Sequence, residues 1–144
     1  MNSLILTLIT LSIPATTALS NAGSDNWLNG CVAAHQALFK GDTKTAEQSL
    51  KGLLLYKAVP NTVRKLLTAV PKDLKSQRAL YKKVSNECRD HWKKNPSDRS
   101  NFVVMTCPMV DADWIQKKGK LENPYAAETM PHCGYQLLPK KNKK

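Results

Sequence analysis

The sequence predicts a mainly α protein: an antiparallel up-and-down helical bundle with a small C-terminal appendage of β-hairpin and loops. Apolar residues recur at steps of three and four from Trp27 to Trp92, which is the spacing of one helix face. The connections between these segments are short, and short connections favour antiparallel neighbours. After Asn95 the pattern changes to a β-branched apolar run followed by many prolines and glycines. With 144 residues, of which 42% are hydrophobic, the chain is expected to form one domain with a buried core.

Four helices account for the periodic part of the chain. Gly41 separates the first two helices, and Asp42 or Thr43 is a suitable N-cap for the second. Prolines bracket a short third segment. The predicted helices run from Trp27 to Leu38, from Asp42 or Thr43 to Leu54, between Pro60 and Pro71, and from about Asp73 to Lys94.

The C-terminal third is predicted to contain a hairpin. Phe102 to Thr106 is rich in β-branched and apolar residues, and Asp113 to Gln116 is its expected partner strand. The segment 119–139 contains too many glycines and prolines for a helix. We therefore expect a single domain over residues 21–139, with a bundle over 25–95, an appendage over 98–139 and a solvated basic tail over 140–144.

The N-terminus indicates export. Leu4 to Ile13 form an apolar run of about ten residues, which is too short to span a bilayer but suits the core of a signal peptide. Small residues follow Pro14, so we predict a signal peptide over residues 1–20; a buried N-terminal helix is the alternative. The expected location is the periplasm or the outside of the cell, where disulfides form.

The net charge of +11 comes mostly from lysines, which are spread over all the predicted helices. Few aromatic residues lie between these cations, which argues against base stacking or base readout and against nucleic acid as a partner. The same surface could contact an acidic partner or an anionic membrane electrostatically. No integral membrane span is expected.

Two cysteines lie on the apolar stripes of the first and fourth helices. Cys31 and Cys88 are expected to form a disulfide because an antiparallel bundle can place those stripes side by side. The alternative is a tetrahedral zinc or copper site, because His35 and His91 follow the cysteines at helical spacing.

The other two cysteines each accompany a methionine. Cys107 and Met109 are two residues apart, so in an extended backbone their side chains point to the same side. Met130 and Cys133 are three residues apart, and a tight turn would place them together. Thiolates and thioethers suit Cu(I), and equally Ag(I), whereas zinc normally takes Cys and His. A disulfide between Cys107 and Cys133 is the alternative, and His132 is either a further ligand or an exposed turn residue.

Five separated C-terminal segments form a pattern that resembles a known family: Cys107-Pro108-Met109, Trp114, Asn123-Pro124-Tyr125, Met130 and Cys133-Gly134. The family is a domain of unknown function found in exported bacterial proteins and at the C-terminus of periplasmic adaptor subunits of Cus-type copper and silver efflux systems. Residues 76–85 are similar to its preceding helix. The resemblance implies a periplasmic helical bundle associated with copper handling, with Cys107, Met109, Met130 and Cys133 as candidate ligands.

The expected function is binding and not catalysis. The sequence has no glycine-rich nucleophile motif, phosphate loop or metalloprotease helix. It therefore predicts an exported copper-binding protein that sequesters or delivers Cu(I), with a periplasmic copper-efflux component as a candidate partner. We expect a standalone protein and not a pump subunit. The alternative is a disulfide-stabilised basic interaction module whose C-terminal motif is structural.

Overall fold

The computed structural model describes residues 26–139, so the predicted signal peptide and basic tail lie outside the described residues. This part of the chain contains four α-helices and one three-stranded antiparallel sheet, with 3₁₀ turns at Leu53–Leu55 and Pro96–Ser100. The elements are α1 (Leu28–Phe39), α2 (Thr43–Gly52), α3 (Asn61–Leu66), α4 (Leu74–Lys94), β1 (Phe102–Cys107), β2 (Ala112–Lys117) and β3 (Tyr135–Gln136).

The prediction of a helical bundle with a peripheral appendage is wrong, because the sheet is a layer of the main core. About half of residues 26–139 are helical, and the fold is mixed α and β. Successive β1 residues from Phe102 to Met105 are all buried, which requires cover on both faces of the strand. Trp114 and Ile115 of β2 lie in the same apolar cluster as the helix residues, and β2 contacts both α1 and α4.

The helices themselves begin where local chemistry predicts. The Asp42 carboxylate accepts a hydrogen bond from the Thr45 backbone N–H at 3.0 Å, and Asp73 accepts one from Ser76 at 2.8 Å. Both aspartates therefore act as N-caps, for α2 and α4 respectively. Within residues 26–139, no helix has the length and apolarity that a membrane span requires.

A disulfide between Cys31 and Cys88 joins α1 to α4, as predicted. Both cysteines are completely buried. The Tyr81 hydroxyl, about two turns before Cys88 on the same face of α4, donates a hydrogen bond of 3.0 Å to the Cys31 carbonyl. The two helices are thus linked covalently and through a buried polar contact.

The sheet has the order β2-β1-β3 with antiparallel pairing throughout. Thr106 at the end of β1 lies opposite Asp113 on one side and Tyr135 on the other. The short β3 strand was not expected, and the bond from the Leu137 N–H to the Val104 carbonyl at 2.8 Å extends its contact with β1. This pairing brings the residues just before β3 to the end of β1.

Candidate thiol site at the end of strand β1

Cys107 and Cys133 meet where β1 ends. Their sulfur atoms are 2.8 Å apart, although the residues are separated by 26 positions in the chain. Both are free cysteines; Cys107 is completely buried, whereas Cys133 is partly exposed. The fold therefore brings together the two C-terminal thiols that the sequence singles out.

Main-chain contacts hold the Cys133 turn in place. The Cys133 N–H donates to the Met130 carbonyl at 3.1 Å, which closes the turn between these two residues. Asn123 is completely buried; its backbone N–H donates to Pro131 at 2.8 Å and its side-chain amide donates to the Cys133 carbonyl at 3.2 Å. These three hydrogen bonds therefore fix the conformation of the turn that carries Cys133.

Gly134 lets this turn approach β1. Its φ of +138° is in a region that L side chains rarely adopt. A Cβ atom at this position would lie 2.6 Å from the Thr106 carbonyl oxygen and 3.2 Å from the Trp114 ring. Only glycine fits against the strand here without displacement.

The loop that carries Cys133 is also tied to the helices. The His35 ring on α1 is 1% exposed, and its Nε2 lies 2.8 Å from the Glu122 carbonyl. Arg78 on α4 makes two hydrogen bonds to the Glu128 carboxylate, at 2.8 and 3.0 Å. The Tyr125 hydroxyl donates to the Asp113 carbonyl at 2.9 Å. Three elements of the fold therefore fix the position of this loop.

The two thiols differ in acidity. Burial raises the pKa of Cys107, but hydrogen bonds from Cys133, from the Val110 and Met109 backbone N–H groups and from the Asn123 side chain outweigh it and hold that pKa below its usual value. The bond that Cys133 makes to Cys107 raises the pKa of Cys133, and burial and the charge on Cys107 raise it further. The first proton lost from the pair therefore leaves a thiolate on Cys107.

The methionines and His132 are close to the thiols in the chain but do not enclose them. Because β1 ends at Cys107, Met109 lies in the turn beyond the strand and is 72% exposed, so the alternation argument does not apply to it. Met130 is partly buried. The exposed His132 has its Nδ1 2.8 Å from the Leu121 carbonyl. No group of three or more His, Cys, Asp or Glu side chains within residues 26–139 is placed to hold a metal ion.

The alternative metal site between α1 and α4 is not assembled. The Cys31 and Cys88 sulfurs are joined to each other, and His35 contacts the Glu122 carbonyl. His91 lies 3.4 Å from the Asp98 carboxylate. These contacts account for the two cysteines and for one nitrogen of each histidine.

A polar cavity of about 280 Å³ lies beside the thiol site, between α4 and the turn after β1. Cys107 is part of its wall, and its charged lining is balanced. Arg89 pairs with Asp113 at 2.7 Å, and Lys82 lies 3.6 Å from Asp111. Spacing along the chain does not predict this cavity, because α4 and the hairpin contribute its residues separately.

Comparison with known proteins gives this site no precedent. No protein-family model, curated protein or solved structure matches the chain. The resemblance to the copper-associated family therefore depends on the C-terminal motif and on residues 76–85 alone. Asn123, one of the motif residues, donates a hydrogen bond from its side-chain amide to the Cys133 carbonyl. The Asn-Pro pair signals a turn in the sequence, but it does not show which side chains the turn brings together.

Proposed function

We propose that this protein is an exported copper-binding protein that holds Cu(I) between Cys107 and Cys133. The observation that supports the proposal is the convergence of two free thiols, 2.8 Å apart, from distant segments. A thiolate is the form that ligates metal, and the lowered pKa of Cys107 favours that form. Metal binding would then displace the proton from Cys133.

The dimensions of the site are compatible with an ion after a small adjustment. Metal–sulfur bonds of about 2.3 Å, as for zinc, would place two sulfur ligands up to about 4.6 Å apart. Cys133 must therefore rotate away from Cys107 when metal binds. Its partly exposed position leaves room for that rotation, whereas Cys107 is enclosed by the core.

The donor types favour a soft monovalent ion. Thiolate and thioether ligands select Cu(I), and by the same softness Ag(I), over cations that prefer oxygen. Met109 is exposed two residues after Cys107, and the Met130 carbonyl closes the turn that carries Cys133, so both thioethers are near the thiols in the chain. We propose that one or both complete the coordination of the ion.

Exposure on one side supports exchange of the metal with a partner. Met109 and Cys133 lie toward the surface, so an incoming ligand could replace them one at a time while Cys107 keeps hold of the ion. This arrangement suits sequestration or delivery, and a periplasmic copper-efflux component is the proposed recipient. The basic surface would assist docking to an acidic partner.

Competition with a chromogenic Cu(I) chelator tests the proposal. We expect Cys107→Ser and Cys133→Ser each to weaken retention of Cu(I) at least about 100-fold, which corresponds to about 2.7 kcal/mol. Met109→Leu should weaken it less, and Met105→Leu, the same substitution at a buried strand position, should have no effect. If both serine variants compete as well as the parent protein, the site is not a copper site. The C-terminal motif would then be structural, as in a disulfide-stabilised interaction module.

A further inference from the structure

The sulfur atoms of Cys107 and Cys133 are also placed to form a covalent bond. A disulfide bond is about 2.05 Å long, so the observed 2.8 Å must shorten by only about 0.75 Å. Strand pairing holds Cys107, and the hydrogen bonds from Asn123 and to Met130 hold the Cys133 turn. These contacts therefore keep the two sulfurs close to bonding distance.

The two sulfurs are not equally accessible. Cys107 has no exposed surface, whereas Cys133 is partly exposed, so a sulfur atom from solution reaches Cys133 first. Attack at Cys133 therefore makes the enclosed Cys107 the leaving sulfur.

We propose that Cys107 and Cys133 form a reversible disulfide that exchanges with small-molecule thiols by attack at Cys133. An external thiolate bonds to the Cys133 sulfur, the bond between Cys133 and Cys107 breaks, and its electron pair passes to Cys107. A second thiolate attacks the external sulfur of the mixed disulfide and releases Cys133 as a thiolate. The two protons of the external thiols end on Cys107 and Cys133, the external thiols leave as their own disulfide, and the reverse sequence re-forms the protein disulfide.

The Cys31–Cys88 bond provides an internal comparison. Both of its cysteines are completely buried between α1 and α4, so an external thiol reaches neither sulfur while the protein is folded. Only the C-terminal pair is expected to follow the redox state of the solution. The inference is independent of copper; if both proposals hold, oxidation of the pair removes the thiolates and releases the ion.

Exchange with glutathione tests the inference on the complete metal-free protein in the presence of a chelator. Samples equilibrated at different ratios of reduced to oxidised glutathione are quenched with acid, alkylated and analysed by peptide mass spectrometry. We expect the pair Cys107 and Cys133 to change between dithiol and disulfide as the ratio changes, while Cys31–Cys88 stays oxidised. Absence of the Cys107–Cys133 disulfide at the most oxidising ratio would overturn the inference.

The direction of attack is tested separately. Cys107→Ser should accumulate a glutathione adduct on Cys133, and Cys133→Ser should carry at least about tenfold less adduct on Cys107. Equal adducts would show that the thiol enters through the neighbouring cavity and would refute attack at Cys133. Rapid acid quenching of the parent protein during reduction locates the mixed disulfide without any substitution. Chelator competition is measured on separate samples, so loss of copper binding and loss of thiol exchange are distinguishable results.

Discussion

Replacing Gly134 with alanine should disturb the thiol site more than the same replacement at Gly41 or Gly119, the other loop glycines in residues 26–139. The matched control is Gly119→Ala, because Gly119 has a similar φ of +149° against +138° at Gly134. No atom lies within 4 Å of the Cβ that alanine would add at Gly119. The two variants therefore share the backbone cost and differ in the contact with β1.

The size of the effect follows from that contact. An alanine in this backbone region costs about 1–3 kcal/mol, and both variants carry this cost. At position 134 the distance to the Thr106 oxygen must also open from 2.6 Å to an ordinary contact of 3.4 Å, a shift of about 0.8 Å. The shift weakens the pairing between β1 and β3 and the Leu137 bond to Val104, at about 1 kcal/mol for each hydrogen bond lost. We expect Gly134→Ala to lose about 2 kcal/mol more stability than Gly119→Ala.

Urea denaturation and Cu(I) competition measure the two consequences. Because Cys133 precedes Gly134, displacement of the turn should also lower the affinity for Cu(I) about tenfold or more, while Gly119→Ala keeps the parent affinity. Equal losses of stability in the two variants would mean that the close approach to Thr106 is unimportant. An unchanged copper affinity in a destabilised Gly134→Ala protein would refute the link between this turn and the site.

Three further predictions concern the surroundings of the site. Replacing Cys31 and Cys88 together by serine removes a cross-link between residues 57 positions apart. In the chain-entropy model this should lower the free energy of unfolding by about 4 kcal/mol, or Tm by about 16 °C in calorimetry. A loss below about 1 kcal/mol would contradict this prediction. Burial lowers the pKa of His35 in the folded protein below 6.5, so as the pH falls the imidazole is protonated in the unfolded chain before it is protonated in the folded protein. The free energy of unfolding should therefore decrease as the pH drops below 6.5, by up to about 1.4 kcal/mol per pH unit. In His35→Gln this decline should be smaller in urea titrations at each pH, and an unchanged decline would exclude His35 as its source. Asn123→Ala should raise the pKa of Cys107, measured from ultraviolet thiolate absorbance. It should also lower the free energy of unfolding by about 1–3 kcal/mol because the Cys133 carbonyl loses its hydrogen-bond donor. An unchanged pKa would show that the Asn123 amide does not act on the Cys107 thiol.

Local chemistry made most of the elements predictable. The N-caps Asp42 and Asp73 mark the starts of α2 and α4 in the sequence and in the structure alike. The apolar run from Phe102 and the proline after Cys107 define β1, because proline ends a strand. Each of these signals depends on residues that are close in the chain.

The packing of the sheet against the helices could not be predicted from such local signals. Continuous burial along β1 shows that its two faces are covered, but the cover comes from distant parts of the chain. The contacts of His35 with Glu122 and of Arg78 with Glu128 join residues 87 and 50 positions apart and leave no periodic pattern. The loop over residues 119–134 therefore looks like a sequence of turns until these partners are known.

The site was predictable in its residues and less so in its geometry. Spacing selects Cys107 and Cys133, but only the pairing of β3 with β1 brings their sulfurs together. The expectation that Met109 shares a strand face with Cys107 assumed extended backbone beyond the end of β1. The turn that begins at Pro108 instead leaves Met109 at the surface.

The order of the four cysteines along the chain has a consequence for oxidative folding. Four cysteines allow three pairings, and only one of them joins Cys31 to Cys88 and leaves the last two residues for each other. Synthesis proceeds from the N-terminus, so Cys31 and Cys88 are both available before Cys107 and Cys133 are complete. In a nascent chain that oxidises as it emerges, Cys31 would thus meet its native partner Cys88 before the other two cysteines. Mispaired disulfides would then be disfavoured by the order of synthesis as well as by stability.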